Sequence, residues 1–409
     1  MTVAPHVSHD SRGFVRRYIF STDHKIIGIQ YILTGLLMAV VGGALAALIR
    51  LQLGWPEHRW LWLSRLLPAG MPEGVMTPEF YLAVVTMHGT IMVFFFISYV
   101  LVSGFGNYLV PLHCGARDMA FPFLNMLSYW IALLSAVVMV ASFFVEGGAA
   151  AAGWTAYPPL SAVATAVPGS NMGQTIWLLS MALFIASFTM SGLNIVATVF
   201  TMRAPGLSMM RLSLTVWSFF IAAILGLLAF PPLTAAAVML LFDRHLGTSF
   251  FLPSGLVVAN RLLPNTGGSP LLWQHLFWFY SHPAVYIMIL PGMGVISEIL
   301  STFSRKPIFG YRFIAYSSVS LALLSFLVWG HHMFVSGQSR LANMVFSALT
   351  FTETASTLPY ASGCCAGVHA AATIEQATLT IRILITASPH RRLQASLPPS
   401  GPVRSVAGQ

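Results

Sequence analysis

The 24 residues from Ile26 to Ile49, IIGIQYILTGLLMAVVGGALAALI, carry no charge and stand between Lys25 and Arg50. A helix needs roughly 20 mostly apolar residues to cross the hydrocarbon core of a bilayer, and this run supplies them. The pattern recurs along the chain. Uncharged stretches run from Phe80 to Ala116, Met119 to Val145, Leu212 to Phe242, Leu262 to Ser297 and Phe313 to Ser339. The segment from Gly147 to Met202 opens Gly/Ala/Pro-rich and closes with an apolar run over 175–200. Backbone in lipid must satisfy its own hydrogen bonds, which leaves helices or a closed barrel, and these runs are too continuously apolar for barrel strands. The sequence predicts an all-α polytopic membrane helix bundle of seven complete transmembrane helices, with a partial eighth that begins near Leu341 and stops at Phe351.

Composition points the same way. Of 409 residues, 56% are hydrophobic and only 8% charged, against about 25% charged in an ordinary globular protein. Membrane lipid is the solvent this surface requires. Three cysteines exclude a disulfide scaffold or a Cys-rich metal site. The net charge of +9 is scattered through short loops, so no nucleic-acid partner is expected.

With the N-terminus inside, ten basic residues fall in inner segments (Arg12, Arg16, Arg17, Lys25, Arg117, Arg203, Arg211, Arg305, Lys306, Arg312) and five in outer ones (Arg59, Arg65, Arg244, Arg261, Arg340). The positive-inside rule then predicts a cytoplasmic N-terminus. The first 24 residues form a charged cytoplasmic segment without the apolar core of a cleavable signal peptide. Residues 25–351 form the membrane domain. Residues 352–409 are small, polar and Pro/Ser-rich, and disorder or loose surface structure is the default for such a tail.

Five of the 13 histidines lie in apolar segments: His88, His275, His282, His331 and His332. Ionisable groups at membrane depth are costly and usually functional, although a lone intramembrane histidine also serves as an interhelical hydrogen-bond partner. His275 sits at the start of its span, where that ordinary role suffices. His282 and the His331–His332 pair together offer three imidazoles, a set suited to copper with an open position. Tyr286, four residues after His282, shares its helical face and either supplies a proton or electron to a bound metal or packs as a core tyrosine. His88 stands beside Gly89, a small residue that lets a flat porphyrin approach, but glycine is frequent in membrane helices anyway.

Six stretches carry a resemblance that spans about Phe20 to Phe351. They are STDHKIIGIQYI, MHGTIMVFF, GFGNYLVPL, DMAFPFLNMLSYW, WQHLFWFYSHPAVYIMILPGMG and WGHHMFVSG, in that order. The chain resembles subunit I of the haem-copper oxygen reductases, the cytochrome c oxidase catalytic subunit. The resemblance implies that His88 is an axial ligand of the low-spin haem and that Arg50 contacts that haem's formyl group. It implies that His282, His331 and His332 bind copper, and that Tyr286 is cross-linked to His282 and supplies a proton and an electron when the O–O bond breaks. Asp118, Asn107 and Asn125 match the mouth of the family's proton-uptake channel, and Trp278 an aromatic between the metals and that path. Many members carry a proton-relaying glutamate in the His282 segment. Here Tyr280-Ser281-His282-Pro283-Ala284-Val285-Tyr286 has none, and the chain is similar to the subclass in which a Tyr-Ser pair, Tyr280 and Ser281, takes over.

A second departure concerns the family's later helices. Twelve spans are expected, and the sequence supplies seven and the start of an eighth. The helix carrying the ligand of the high-spin haem and the second ligand of the low-spin haem has no counterpart, and His369 and His390 lack the setting to replace it. The change of composition after Phe351 is what a C-terminal truncation or shifted reading frame produces. The resemblance implies a proton-pumping terminal oxidase of a bacterial-type inner membrane, with other oxidase subunits, cytochrome c as electron donor and O2 as partners. The alternative is a non-catalytic fragment of that subunit. A transporter pore lined by His, Asn and Asp fits the ordered motifs poorly, and Tyr286 favours oxygen chemistry over nitric oxide reduction.

Overall fold

The computed structural model describes residues 13–166, 171–264 and 267–358. Within them the chain is a helical bundle: α1 (His24–Gly54), the short α2 (Leu61–Leu66), α3 (Pro78–Thr90), α4 (Phe105–Cys114), α5 (Pro122–Ala141), α6 (Met172–Thr201), α7 (Leu214–His245), α8 (Pro270–Ser304), α9 (Tyr311–Ser325) and α10 (Arg340–Ala355). A π-helical stretch, Ile91–Gly104, joins α3 to α4 in one continuous rod from Pro78 to Cys114. The only sheet among the described residues is a two-strand hairpin, Val257–Val258 against Arg261–Leu262.

Chain chemistry sets the helix ends. Asp23 caps α1 by accepting from the Lys25 N–H at 2.8 Å, and Thr77, Ser213, Ser269 and Ser339 cap α3, α7, α8 and α10 in the same way. Pro78, Pro122 and Pro270 occupy first-turn positions, where their missing N–H costs nothing.

Among the described residues six helical rods are long and apolar enough to span a bilayer: His24–Gly54, Pro78–Cys114, Pro122–Phe144, Met172–Thr201, Leu214–His245 and Pro270–Ser304. The chain is an integral membrane protein. The seventh expected span is divided. Its helix α9 has 15 residues, about 22 Å at 1.5 Å per residue, and short of the roughly 30 Å core. The chain then tightens into a 3-10 turn, Trp329–Met333. Gly330 is where α10 presses in: a Cβ there would lie 2.2 Å from the Phe346 ring. The partial eighth segment is the helix α10, and it runs past Phe351 to Ala355. The rest of the tail, from residue 359, lies outside the described residues, as do His369 and His390.

Packing joins α7 to α8, α1 to the π-helical stretch and α5 to α6 most extensively. Serines stitch the α5–α6 seam, with Ser135 donating to the Ser180 carbonyl and Ser180 to the Ser135 carbonyl, both at 2.7 Å. Small polar residues permit close helix approach in lipid and leave no backbone-bonding group idle.

Candidate metal centre

The site is built where α8, the 3-10 turn and α10 meet. Pro283 lies inside α8 directly after His282 and removes a backbone donor there, which loosens the helix around that residue; Pro291 does the same more than two turns on. His282 is buried, 3% exposed. Its Nδ1 lies 3.0 Å from His332 Nε2, and His332 Nε2 lies 3.1 Å from His331 Nε2. One nitrogen from each of the three rings falls within 4.8 Å of the others.

The outer bonds assign the tautomers. Thr350 Oγ1 donates to the Phe346 carbonyl at 2.6 Å, so toward His331 Nδ1, 2.9 Å away, it accepts. His331 therefore carries its proton on Nδ1 and turns the Nε2 lone pair inward. His282 Nε2 lies 3.3 Å from Glu353 Oε1, an acceptor, so that nitrogen holds the proton and Nδ1 turns its lone pair inward. Between these lone pairs stands His332 Nε2. Its single N–H is shared by both; a metal ion held by all three nitrogens would require that proton on His332 Nδ1 instead. The residues fit a three-imidazole copper site.

Trp278 fixes the third ring. Its indole stacks on His332 with centroids 3.9 Å apart and planes 8° apart, and its Nε1 donates to the Tyr157 hydroxyl. Tyr286 lies one turn beyond His282, with ring centroids 4.9 Å apart. His275 takes the ordinary role, accepting from Trp329 Nε1 at 3.2 Å.

His88 is apart from this cluster, on α3. Its Nδ1 bonds the Gly42 carbonyl of α1 at 2.9 Å, so the proton sits there and Nε2 is left as a Lewis base, the form a metal-ligating imidazole takes. Gly42 is required: a Cβ there would meet Met92 Sδ at 2.6 Å. Gly89 instead backs onto Trp154, 3.3 Å from where its Cβ would lie, so it serves loop packing. Arg50 is exposed and bonds the Ala46 carbonyl at 3.3 Å. It shares the Gly42 face of α1, eight residues or about 12 Å along. The other described histidines are engaged elsewhere: His24 with Asn107, His58 with Trp60, His113 with Ser213, His245 with Thr175 and His275 with Trp329. Among the described residues His88 thus offers one imidazole that could hold a haem, and no other histidine remains to pair with it or to serve a second haem.

Asp118 lies in the loop between α4 and α5, Asn125 in the first turn of α5, and Asn107 near the start of α4, where His24 touches both it and Asp118. Burial lifts the Asp118 carboxyl above its ordinary range, partly offset by the Met119 N–H at 2.7 Å and by His24. His24 is buried, its Nδ1 2.8 Å from the Asn107 carbonyl; assignment to a loop concealed it. Asn107 Oδ1 and both side-chain polar atoms of Asn125 are buried without a protein partner, and a buried amide in that state calls for water. A ladder continues inward, from Ser128 donating to the Asn125 carbonyl (2.7 Å) to Tyr31, which bridges Ser128 and Ser187. Next to Phe230, whose ring packs 5.4 Å from Tyr280, a cavity of about 20 Å³ is lined by Ser103, Ser191 and Gly226, room for one water. Ser281 Oγ is another buried orphan. Tyr31, Ser128 and Ser187 escaped the sequence reading, since hydroxyls in apolar helices carry no spacing signal. Glu353 and Thr350 escaped it too, although their i, i+3 spacing puts them on one helical face.

A polytopic helical bundle with three imidazoles converging at one end defines a membrane metalloprotein. Known proteins narrow that class: residues 26–387 match the model of the cytochrome C and quinol oxidase polypeptide I family. The chain is 48% identical over 339 residues to an alternative cytochrome c oxidase subunit 1 of Bradyrhizobium diazoefficiens, covering 83% of this chain and 55% of that protein. It is 41% identical over 353 residues to a cytochrome c oxidase subunit 1 of Synechocystis sp., covering 86% and 58%, and 39% identical over 359 residues to one of Cereibacter sphaeroides, covering 84% and 60%. The chain belongs to this family, subunit I of the haem-copper oxidases. It spans little more than half the length of these relatives, and the match runs on past Phe351.

Proposed function

We propose that this chain contributes the copper half of the oxygen-reducing centre of a proton-pumping terminal oxidase that takes electrons from cytochrome c and reduces O2 to water. The observation that carries the reading is the convergence of three imidazole nitrogens, His282 Nδ1, His331 Nε2 and His332 Nε2, within 4.8 Å of one another. Copper and haem, when bound, supply the one-electron chemistry. The chain's own residues do the rest. His282, His331 and His332 bind the copper, and Trp278 stacked on His332 keeps the third ring from rotating. Tyr286 holds a proton at its hydroxyl one turn from His282. His88 ligates the low-spin haem through Nε2, with Arg50 farther along the same side of α1. Asp118 takes up protons at the loop end, Asn107 and Asn125 hold waters above it, and Tyr280 and Ser281 pass the proton onward without a full charge in low dielectric. We assign the chain to a bacterial-type inner membrane with a cytoplasmic N-terminus, among other oxidase subunits.

One observation favours a second reading, a copper-binding membrane fragment without oxidase activity: among the described residues His88 has no axial counterpart. Metal analysis, a haem spectrum and O2 uptake with reduced cytochrome c separate the two. One copper with two haems and uptake supports the oxidase; copper without haem or uptake supports the fragment.

A further inference from the structure

Resting on the copper reading above, we propose that Glu353 is a positioning residue of the metal centre: its carboxylate accepts the Nε2–H of His282 and so fixes the tautomer and ring orientation that aim Nδ1 at the metal. Four observations carry this. Glu353 is 1% exposed, and it is the only buried residue of α10. Its Oε1 lies 3.3 Å from His282 Nε2. A carboxylate is costly to bury in an apolar setting without partners, and the structure gives Glu353 two on α8, the His282 imidazole N–H and the Tyr286 hydroxyl. Apolar packing contributes little to that burial: Leu341, Met344, Val345 and Phe351 are exposed, and Phe346 packs on the 3-10 turn at Gly330 and Trp329.

The arrangement completes a set. Thr350 holds His331 from the same face of the same helix, so α10 supplies the outer hydrogen-bond acceptors for two of the three ligands. Carboxylate–histidine–metal triads of this kind raise ligand basicity and lock the ring, and loss of the outer partner typically costs 10–100-fold in metal affinity. Residue 353 lies beyond Phe351, where the resemblance ends, and well past Gly337, where the last quoted motif ends, which is why no motif pointed to it.

The test uses the full chain in detergent or nanodiscs, loaded with copper alone. Copper affinity is measured by chelator competition for wild type, Glu353→Gln, Glu353→Ala and His332→Ala, with far-ultraviolet circular dichroism as the control for folding. Pulsed electron paramagnetic resonance of the Cu(II) form then reads the remote, non-coordinated imidazole nitrogens, whose quadrupole couplings respond to hydrogen bonding at that N–H. The expected result is a 10–100-fold loss of affinity in Glu353→Ala, a smaller loss in Glu353→Gln, which keeps a neutral acceptor oxygen, and a changed coupling for one remote nitrogen. Thr350→Val changes a different one. Wild-type affinity and unchanged couplings in both Glu353 variants overturn the proposal while leaving the copper site standing. A carboxylate found in the copper's own coordination sphere overturns it as well. Absence of copper binding by the wild-type chain removes the copper reading and this inference together.

Discussion

Helices α7 and α10 are held in this molecule by opposite means. The first buries 19 of its 32 residues, almost all apolar, against α6, α8 and α9. The second buries one of 16, and that one is a glutamate. Apolar packing dominates along α7, and its polar bonds lie toward its two ends, from the Leu214 N–H to Glu298 and from the Phe250 and Phe251 N–H groups to the Asp243 carboxylate. Bonds to the metal-site histidines, the Phe346 ring on Gly330 and the Trp329–Phe346 contact at 5.3 Å secure α10. Where a helix has little apolar burial, polar contacts with a functional site carry its placement, and the site and the helix then depend on each other.

That mutual dependence is breakable. The largest expected effect comes from His332→Ala, which removes the nitrogen both other rings face; metal analysis of the purified variant should find no stoichiometric copper while the α5–α6–α7 packing and the helical content persist. Next, Gly330→Val drives a side chain into the Phe346 ring, an overpacking that costs ~1–3 kcal/mol. Because it strikes the contact that seats α10, copper affinity should fall along with stability in a detergent-denaturation titration. Were stability lost with affinity intact, α10 would not support the site.

The α5–α6 seam gives the contrasting case. Ser135→Ala breaks a reciprocal serine pair and should cost about 0.6–1.7 kcal/mol in lipid, with no change in copper binding. The smallest effect is expected at Asp118. Its neutral form is favoured by burial, so the stability linked to that proton is fully present below the ordinary carboxylate range and is lost as pH rises through the raised pKa. The difference in unfolding free energy between wild type and Asp118→Asn should therefore shift against wild type as pH rises across that window; a pH-independent difference would show that burial does not act on this carboxyl.

Much of the architecture was legible because lipid imposes a simple rule on sequence: charges mark loops, and uncharged runs such as Ile26 to Ile49 mark spans. Six of the seven expected spans follow it. The seventh does not, because hydropathy registers length and polarity but not the turn at Gly330, whose cause is the Phe346 ring of another helix. The three clustered histidines were legible as types in apolar segments. Their tautomers were not, since each depends on a partner brought in by tertiary contact: Thr350 for His331, Glu353 for His282. Asp118, Asn107 and Asn125 could be read from the motif stretches, whereas Tyr31, Ser128 and Ser187 are ordinary helix residues until three helices bring them together. Glu353 was hidden for a further reason. The composition turns polar after Phe351, which suggests an end to helix, yet α10 continues for another turn and carries Glu353 to His282.

X-ray absorption at the copper edge of the full chain loaded with copper tests the central claim most directly. Three converging imidazoles predict one copper per chain and scattering from three imidazole rings, reduced or lost in His332→Ala. A copper bound by a single imidazole, or one retained unchanged in that variant, would contradict the account.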